Sequence, residues 1–113
     1  SRETLNSNNC RLLGGYRDAQ LLGIGAAKIQ GTFGELKRFF VDDRARGQGV
    51  AEMILNELED WLREQKIAQS CLETGIHQPA ALKFYEKLGY RVCGPFGDYK
   101  LDPLSVFMSK QLK

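Results

Sequence analysis

The sequence is poor in the residues that build metal sites and disulfide frameworks. It has one histidine, His77, and three cysteines, Cys10, Cys71 and Cys93, which form no CxxC pair. An odd number of cysteines without that spacing argues against zinc sites and against a disulfide-stabilised secreted domain. We therefore expect no metal site, and reduced thiols in a cytoplasmic protein.

Long runs of one residue class are also missing. No apolar stretch approaches the ~20 residues of a membrane-spanning helix, and no run of Lys and Arg reaches five residues. Residues 1–6 contain no apolar signal-peptide core. Because the net charge is only +2, the sequence predicts neither a membrane protein nor a nucleic-acid-binding protein.

What is present is the composition of an ordinary folded domain. The 113 residues are 42% hydrophobic and 27% charged, as is typical of soluble globular proteins. A chain of this length buries roughly two thirds of its unfolded surface. We expect one domain over residues 1–113, with a polar N-terminal segment, residues 1–9, that lacks fixed structure.

Periodicity in the sequence predicts six strands and two helices. The strands are predicted at residues 10–16, 21–30, 32–42, 70–76, 90–93 and 104–108, and the helices at 47–66 and 78–88. The first helix has an apolar stripe of Ala51, Ile54, Leu55, Leu58 and Leu62, opposite Glu52, Glu59, Arg63 and Glu64. This order predicts an α/β fold: a mixed, mostly antiparallel sheet with one parallel pair that splays. Ligands tend to bind where two parallel strands separate in this way, a place that we call the splay.

Glycine and proline mark places where the backbone departs from regular structure. Gly23 and Gly25 in the second strand predict a bulge or a close backbone approach. Pro79 suits the first turn of the second helix, and Gly89 suits its C-terminal cap. A long loop at residues 94–103 is of the kind that often carries function.

The segment from Arg44 to Ala51 carries the first functional signal. It reads Arg-Ala-Arg-Gly-Gln-Gly-Val-Ala, between a strand-like run and a predicted helix. A strand, a glycine-rich turn and a helix N-terminus together present free backbone N–H groups to a phosphate. The segment lacks the Gly-Lys-Ser/Thr of a Walker loop, and it has Glu52 where a dinucleotide fingerprint needs a small residue. A plain strand-to-helix connector is the alternative.

A second motif lies in the second predicted helix. Residues 78–90 read Gln-Pro-Ala-Ala-Leu-Lys-Phe-Tyr-Glu-Lys-Leu-Gly-Tyr. This resembles the Asn-x-x-Ala-x-x-Leu-Tyr-x-x-x-Gly-Phe pattern of the GNAT superfamily of N-acetyltransferases. The Arg-x-x-Gly-x-Gly at residues 44–49 resembles the pyrophosphate loop of the same family. With both motifs in this order, the resemblance extends from about Leu12 to Met108.

The resemblance implies an acyl-CoA N-acyltransferase that uses acetyl-CoA. The implied cofactor-binding residues are Phe39, Phe40, Val41, Arg44, Arg46, Gly47, Gln48, Gly49, Val50, Ala51, Gln78, Ala81 and Tyr85. Main-chain groups of Phe39 and Val41 would pair with the pantetheine arm. Backbone N–H groups from Arg46 to Ala51 would bind the pyrophosphate, while a solvated loop is the alternative for Arg44 and Arg46.

The resemblance makes Tyr85 the acid that protonates the departing thiolate. Collapse of the acyl-transfer intermediate needs such a donor, and we expect the tyrosine to titrate near its ordinary pKa of ~10. The alternative is a packing tyrosine beside Phe84. Spacing with Ala81 and Leu88 favours Phe84 as the core residue of this helix.

The general base stays open between two carboxylates and a water. Some family members place a base at the position of Glu35, and strand alternation puts Glu35, Lys37, Phe39 and Val41 on one face. An exposed Glu35 paired with Lys37 or Arg38 is the alternative. Glu73, on the strand before the second helix, is a rival base and a candidate substrate-binding residue. Many family members use an ordered water.

The acceptor side is less defined. Asp98 and Tyr99 lie in the loop where related enzymes contact the acceptor, and structural turn residues are the equal alternative. For His77 a solvated or capping role is favoured over catalysis. We expect the acceptor to be a primary amine of a small molecule, with peptides and proteins as the next choice.

The sequence departs from the family at its N-terminus. The family usually begins with another strand and two helices that shape one wall of the acceptor cleft. Here the first two predicted strands, which we expect to form a hairpin, follow residues 1–9 almost directly. The alternatives are therefore a non-catalytic CoA-binding module, or a truncated fragment that needs a partner chain to complete its acceptor site. An exposed sheet edge and apolar face would favour a homodimer or a domain swap.

Overall fold

Six strands and two helices form the described part of the chain. The computed structural model describes residues 9–17, 20–42 and 49–112; most of the predicted polar segment, residues 1–8, lies outside these ranges. The strands are β1 (Cys10–Arg17), β2 (Gln20–Gln30), β3 (Phe33–Val41), β4 (Gln69–Gly75), β5 (Arg91–Cys93) and β6 (Ser105–Gln111), and the helices are α1 (Val50–Glu64) and α2 (Pro79–Lys87). Each end lies within three residues of its prediction. Neither helix is long and apolar enough to cross a membrane.

The strands form one mixed sheet. Their order is β1-β2-β3-β4-β6-β5. Among the described strands only β3 and β4 pair in parallel, since α1 connects them as a crossover. All other neighbours are antiparallel. The predicted fold class, a mostly antiparallel sheet with one parallel pair and two helices, is confirmed.

Glycines allow α1 to pack close to strands β2 and β3. A Cβ atom on Gly25 would lie 2.8 Å from Ile54 Cγ2, and one on Gly34 would lie 2.5 Å from Leu62 Cδ2. Ile54 and Leu62 are almost completely buried, so neither can move aside freely. The close approach predicted from the glycines of β2 is confirmed at Gly25.

Replacing Gly34 should therefore destabilise the fold. In Gly34→Ala the added methyl group forces Leu62 away from the sheet, and we expect the free energy of unfolding to fall by about 1–3 kcal/mol. Urea denaturation measures this change. Gly94→Ala is the matched control, because a Cβ atom at Gly94 meets nothing within 4 Å. Equal stability of the two variants would contradict the close packing of α1.

A β-bulge interrupts the pairing of β2 with β3. The register shifts between Ile24 and Ala26, so that Gly25 stands opposite two residues of β3, Arg38 and Phe39. A bulge with one extra residue reverses the alternation of side chains beyond it. The bulge that the glycines of β2 predicted is confirmed, with its extra residue in β3.

The bulge sorts the side chains of β3 between the two faces of the sheet. We call the face covered by α1 and α2 the helix face, and the opposite face the open face. Phe39 lies beside Gly25 and Val41 beside Gly23, on the side of the sheet that Ile54 of α1 covers. Both side chains are therefore on the helix face. Glu35 and Lys37 precede the bulge and lie on the open face. The prediction that these four residues share one face is wrong, because a regular alternation was assumed.

Helix α1 buries an acidic residue that periodicity placed on its polar face. Glu59 is 2% exposed and accepts hydrogen bonds from the Tyr90 hydroxyl at 2.8 Å and from Lys110 Nζ at 2.9 Å. Burial, followed by the Glu59 carboxylate, raises the pKa of Tyr90, so this hydroxyl stays protonated. Because every buried polar group here has a partner, the network stabilises the contact between α1, β6 and the chain after α2.

Helix α2 begins and ends as predicted but buries a different aromatic residue. Pro79 lies in its first turn, and Gly89 follows its end with a φ of 100°. Tyr85 is 8% exposed, whereas Phe84 is only half-buried. The prediction that Phe84 rather than Tyr85 is the core residue of this helix is wrong, because Tyr85 packs against Tyr90 and Phe39 from elsewhere in the fold.

Candidate active site

Strands β3 and β4 separate after two residue pairs. Gly34 pairs with Ser70 and Glu35 with Cys71, whereas β4 pairs with β6 over its whole length. Residues 36–41 of β3 therefore have no β4 partner in the described structure. Backbone N–H and C=O groups on such an edge are open to a ligand.

A cleft of about 1410 Å³ lies at this separation. Because the opening interrupts the sheet, the cleft is lined from both faces. From the helix face it is lined by Phe39, Val41, Val50, Ala81 and Tyr85, and from the open face by Glu35, Lys37, Glu73 and Tyr99. A ligand in this cleft can therefore contact both groups of side chains.

The N-terminus of α1 faces the cleft. Gly49 is the N-cap, with a φ of 77°, and none of the described side chains caps the helix. The first hydrogen bond of the helix runs from Met53 N–H to the Gly49 carbonyl at 3.0 Å, so the preceding N–H groups have no partner within the helix. Gly49, Val50 and Ala51 line the cleft. The other predicted loop residues, Arg44, Arg46, Gly47 and Gln48, lie outside the described residues.

Tyr85 lines the cleft from α2 within an aromatic cluster. Its ring centroid lies 5.3 Å from that of Phe84, 5.8 Å from that of Tyr90 and 6.2 Å from that of Phe39. Burial raises the pKa of Tyr85 to about 12, so the expectation of a titration near 10 is wrong. No described residue forms a hydrogen bond with its hydroxyl. This arrangement keeps a protonated donor in the cleft.

Glu35 is buried and has partners on both carboxylate oxygens. Tyr99 donates to Oε2 at 2.6 Å, Gln30 donates to Oε1, and Lys37 Nζ lies 3.8 Å from Oε1. The hydrogen bond to Glu35, followed by burial, raises the pKa of Tyr99 to about 12. The alternative of an exposed Glu35 paired with Lys37 or Arg38 is therefore half right: the ion pair with Lys37 is present, but Glu35 is buried. Glu35 also fixes the loop after β5, which carries Tyr99.

Glu73 is the less constrained carboxylate of the cleft. It is half-buried on β4 and accepts one hydrogen bond, from the Ser105 hydroxyl to Oε2 at 2.7 Å. Its other oxygen, Oε1, has no partner among the described residues. Because Glu73 follows Cys71 by two residues, it lies on the same face as Glu35. Glu73 can therefore accept a proton or a hydrogen bond from a ligand.

The remaining predicted residues divide between the cleft and the surface. Gln78 and His77 line the rim of the cleft, and both are exposed. Phe40 is 61% exposed on the open face, and Asp98 is exposed; neither lines the cleft. Among the described residues no group of three or more His, Cys, Asp or Glu side chains is placed to hold a metal ion.

Two residues that hold the carboxylates carry no signal in the sequence. Gln30 and Ser105 lie on β2 and at the start of β6, 5 and 32 positions from their acidic partners. Gln30 and Glu35 are close in sequence across the turn between β2 and β3, but the pairing of Ser105 with Glu73 depends on the order of strands in the sheet. That order could not be read from local patterns.

Comparisons with known proteins identify the family and the fold. Residues 1–90 match the model of the acetyltransferase (GNAT) family. An IAA acetyltransferase of Azospirillum brasilense is 39% identical over 112 residues, which cover 97% of this chain and 73% of that protein. A solved structure from Klebsiella pneumoniae, assigned as an acyl-CoA N-acyltransferase, is 38% identical with a TM-score of 0.88, covering 93% of this chain and 74% of the other. The PaiA N-acetyltransferase of Thermoplasma acidophilum, solved with coenzyme A, shares the fold at 22% identity and a TM-score of 0.80, covering 91% of this chain and 61% of the other.

Proposed function

This chain belongs to the GNAT family of N-acetyltransferases, and we propose that it transfers the acetyl group of acetyl-CoA to a primary amine of a small molecule or peptide. The observation that carries the proposal is the cleft at the splay. It combines an unpaired strand edge, a helix N-terminus that no described side chain caps, and a protonated tyrosine.

The residues of the helix face fit acetyl-CoA. The amide groups of a pantetheine arm can pair with residues 36–41 of β3 as an added strand would. The N-terminus of α1 offers N–H groups and the positive end of the helix dipole to the pyrophosphate. When bound, acetyl-CoA supplies an acetyl group activated as a thioester. A neighbour with the same fold is solved with coenzyme A, which supports this assignment.

Tyr85 suits the role of general acid toward the leaving sulfur. Its hydroxyl stays protonated at neutral pH because burial raises its pKa to about 12. A donor that is already protonated and has no competing partner among the described residues can give its proton to the thiolate as the carbon–sulfur bond breaks. The acceptor nitrogen loses a second proton as it becomes an amide nitrogen, and that proton can return through solvent to the phenolate.

Glu73 suits the role of general base toward the acceptor. An amine arrives mainly as the ammonium ion and must lose a proton before its nitrogen forms the new bond to the acetyl carbon. Glu73 has a free carboxylate oxygen on the open face, whereas both oxygens of Glu35 already have partners. The proton therefore passes from the ammonium group to Glu73, and Glu35 holds Tyr99 in place.

Thiol release tests the proposal. The protein is mixed with acetyl-CoA and a panel of primary amines, and free CoA thiol is followed over time. We expect release that depends on both protein and amine. Binding of acetyl-CoA in calorimetry without release by any amine would instead indicate a CoA-binding module, or a chain that needs a partner to complete its acceptor site. No binding at millimolar acetyl-CoA would refute the cofactor assignment itself.

A side chain at Gly49 should weaken CoA binding. In Gly49→Val the new side chain projects at the N-terminus of α1, where the pyrophosphate would lie, and we expect the dissociation constant for CoA to rise tenfold or more, about 1.4 kcal/mol. Calorimetry measures this constant.

The matched control for that substitution is Gly31→Val. Gly31 also has a positive φ, 58°, and open space around its Cβ position, but it lies in the β2–β3 turn outside the cleft. Both variants carry the same kind of backbone strain, so only Gly49→Val should lose CoA affinity. An unchanged dissociation constant in folded Gly49→Val would show that this helix end does not bind the pyrophosphate.

A further inference from the structure

An acidic and a basic side chain face each other across the splay on the open face. The last parallel pair joins Glu35 to Cys71. Two residues further along both strands stand Lys37 on β3 and Glu73 on β4. If the strands had stayed paired, these two residues would be direct neighbours. Because the strands separate, Lys37 and Glu73 form no ion pair within the described structure, although both line the cleft.

Lys37 has unused capacity for hydrogen bonds. Its Nζ lies 3.8 Å from Glu35 Oε1, which is close enough for attraction but too long for a hydrogen bond. No described residue accepts a hydrogen bond from this ammonium group, and its side chain is 43% exposed. A lysine ammonium carries three donors. Lys37 can therefore bind an anionic group of a ligand in the cleft.

Glu73 presents the opposite charge from the other wall. One of its oxygens is held by Ser105 and the other has no partner among the described residues. An ammonium group is the natural partner of that free oxygen. Adjacent paired strands lie about 4.8 Å apart, so the wider gap at the splay has room for a small molecule between the two charged side chains.

We infer that the acceptor is a free α-amino acid, whose ammonium group binds Glu73 and whose α-carboxylate binds Lys37. The inference rests on the proposed function and specifies its substrate class. A zwitterion with both charged groups attached to one carbon atom matches one positive and one negative group on the opposite walls of the splay. A diamine would place a like charge against Lys37. A simple monoamine would leave the three hydrogen-bond donors of Lys37 unused. The ammonium group at Glu73 is also the one that must lose a proton before acetylation.

Matched sets of acceptors test this inference. One set is L-leucine, L-leucinamide and 3-methylbutylamine, and another is L-phenylalanine, L-phenylalaninamide and 2-phenylethylamine, after a screen of the standard amino acids for the best side chain. The members of a set share a side chain and differ at the α-carboxylate. We expect kcat/KM to be at least tenfold higher for the amino acid than for its amide or its decarboxylated amine.

Variants of Lys37 test whether its ammonium group binds the α-carboxylate of the acceptor. In Lys37→Gln we expect KM for the amino acid to rise tenfold or more with little change in kcat, and KM for the amide to stay the same. Lys37→Arg should restore most of the loss. Lys28→Gln is the matched control, because Lys28 is exposed on the same face and does not line the cleft; it should leave both constants unchanged.

Several outcomes would overturn the inference. Equal or faster reaction of the amide or decarboxylated amine would do so, as would equal losses for amino acid and amide in Lys37→Gln. Thiol release with simple amines but with no amino acid would refute the substrate class and leave the proposed function intact. Thiol release with none of the acceptors would refute both.

Discussion

Tyr85→Phe should lower kcat by roughly 100-fold or more while CoA affinity changes little. The substitution keeps the ring that packs against Phe39, Phe84 and Tyr90 and removes only the hydroxyl that would protonate the leaving sulfur. Losses of this size are typical when a general acid is removed. Steady-state thiol release and calorimetry with CoA measure the two quantities. Near-normal kcat in the Phe variant would show that Tyr85 only packs.

The pH dependence of rate and stability tests the raised pKa of Tyr85. Burial raises the pKa of Tyr85 from 10.0 to about 12, so the wild-type rate should show no loss near pH 10 from this group. The unfolded tyrosine ionises near 10, whereas the folded one stays neutral until about 12. The stability that depends on the neutral hydroxyl is therefore full below pH 10 and is lost as pH rises toward 12. The melting temperature of Tyr85→Phe should therefore fall less than that of the wild type as the pH rises from 10 toward 12.

Glu73→Gln should lower kcat/KM at neutral pH by roughly 100-fold to 1000-fold. A glutamine at this position can still accept the hydrogen bond from Ser105, so the fold should remain, but an amide cannot take a proton from the acceptor ammonium group. If Glu73 is the base, raising the pH should recover part of the rate, because more of the amine is then already neutral. Initial rates of thiol release across the pH range measure the recovery.

Glu35→Gln is the matched control for that substitution. Glu35 is buried and both of its oxygens have partners, so we expect its variant to lose melting temperature and to retain most of its turnover. The reverse pattern, with Glu35→Gln inactive and Glu73→Gln active, would make Glu35 the base that the sequence suggested. Activity in both variants would indicate a water.

Local patterns in the sequence predicted most of the fold. The apolar stripe of α1, the cap at Gly89 and the glycines of β2 each follow from rules that act over a few residues, and the structure confirms them. The parallel pair followed from the order of the elements, since a helix joins the two strands that form it.

Features that depend on distant partners could not be predicted. Glu59 lies at a polar position of the α1 pattern, and only Tyr90 and Lys110, 31 and 51 residues later, make its burial acceptable. The face that each side chain of β3 occupies depends on a bulge, and the position of this bulge is set by pairing with β2. For that reason Glu35 and Phe39 were assigned to one face although they lie on opposite faces. Phe40 follows the bulge, and Asp98 lies in the loop between β5 and β6; neither residue lines the cleft.

The bulge in β3 also bears on how this protein can be redesigned. Because of the bulge, Glu35 and Lys37 lie on the open face, where we place the acceptor, while Phe39 and Val41 lie on the helix face, where we place the cofactor. Substitutions at Lys37, Glu73 or Tyr99 therefore change one wall of the cleft without touching the side chains around the strand edge and the α1 N-terminus. A library confined to Lys37 and Tyr99, which keeps the proposed base Glu73, would explore new acceptors while the cofactor-binding residues stay unchanged. Deleting Arg38 would remove the extra residue of the bulge and still leave Phe39 and Val41 on the helix face, because regular alternation from Lys37 then places them there.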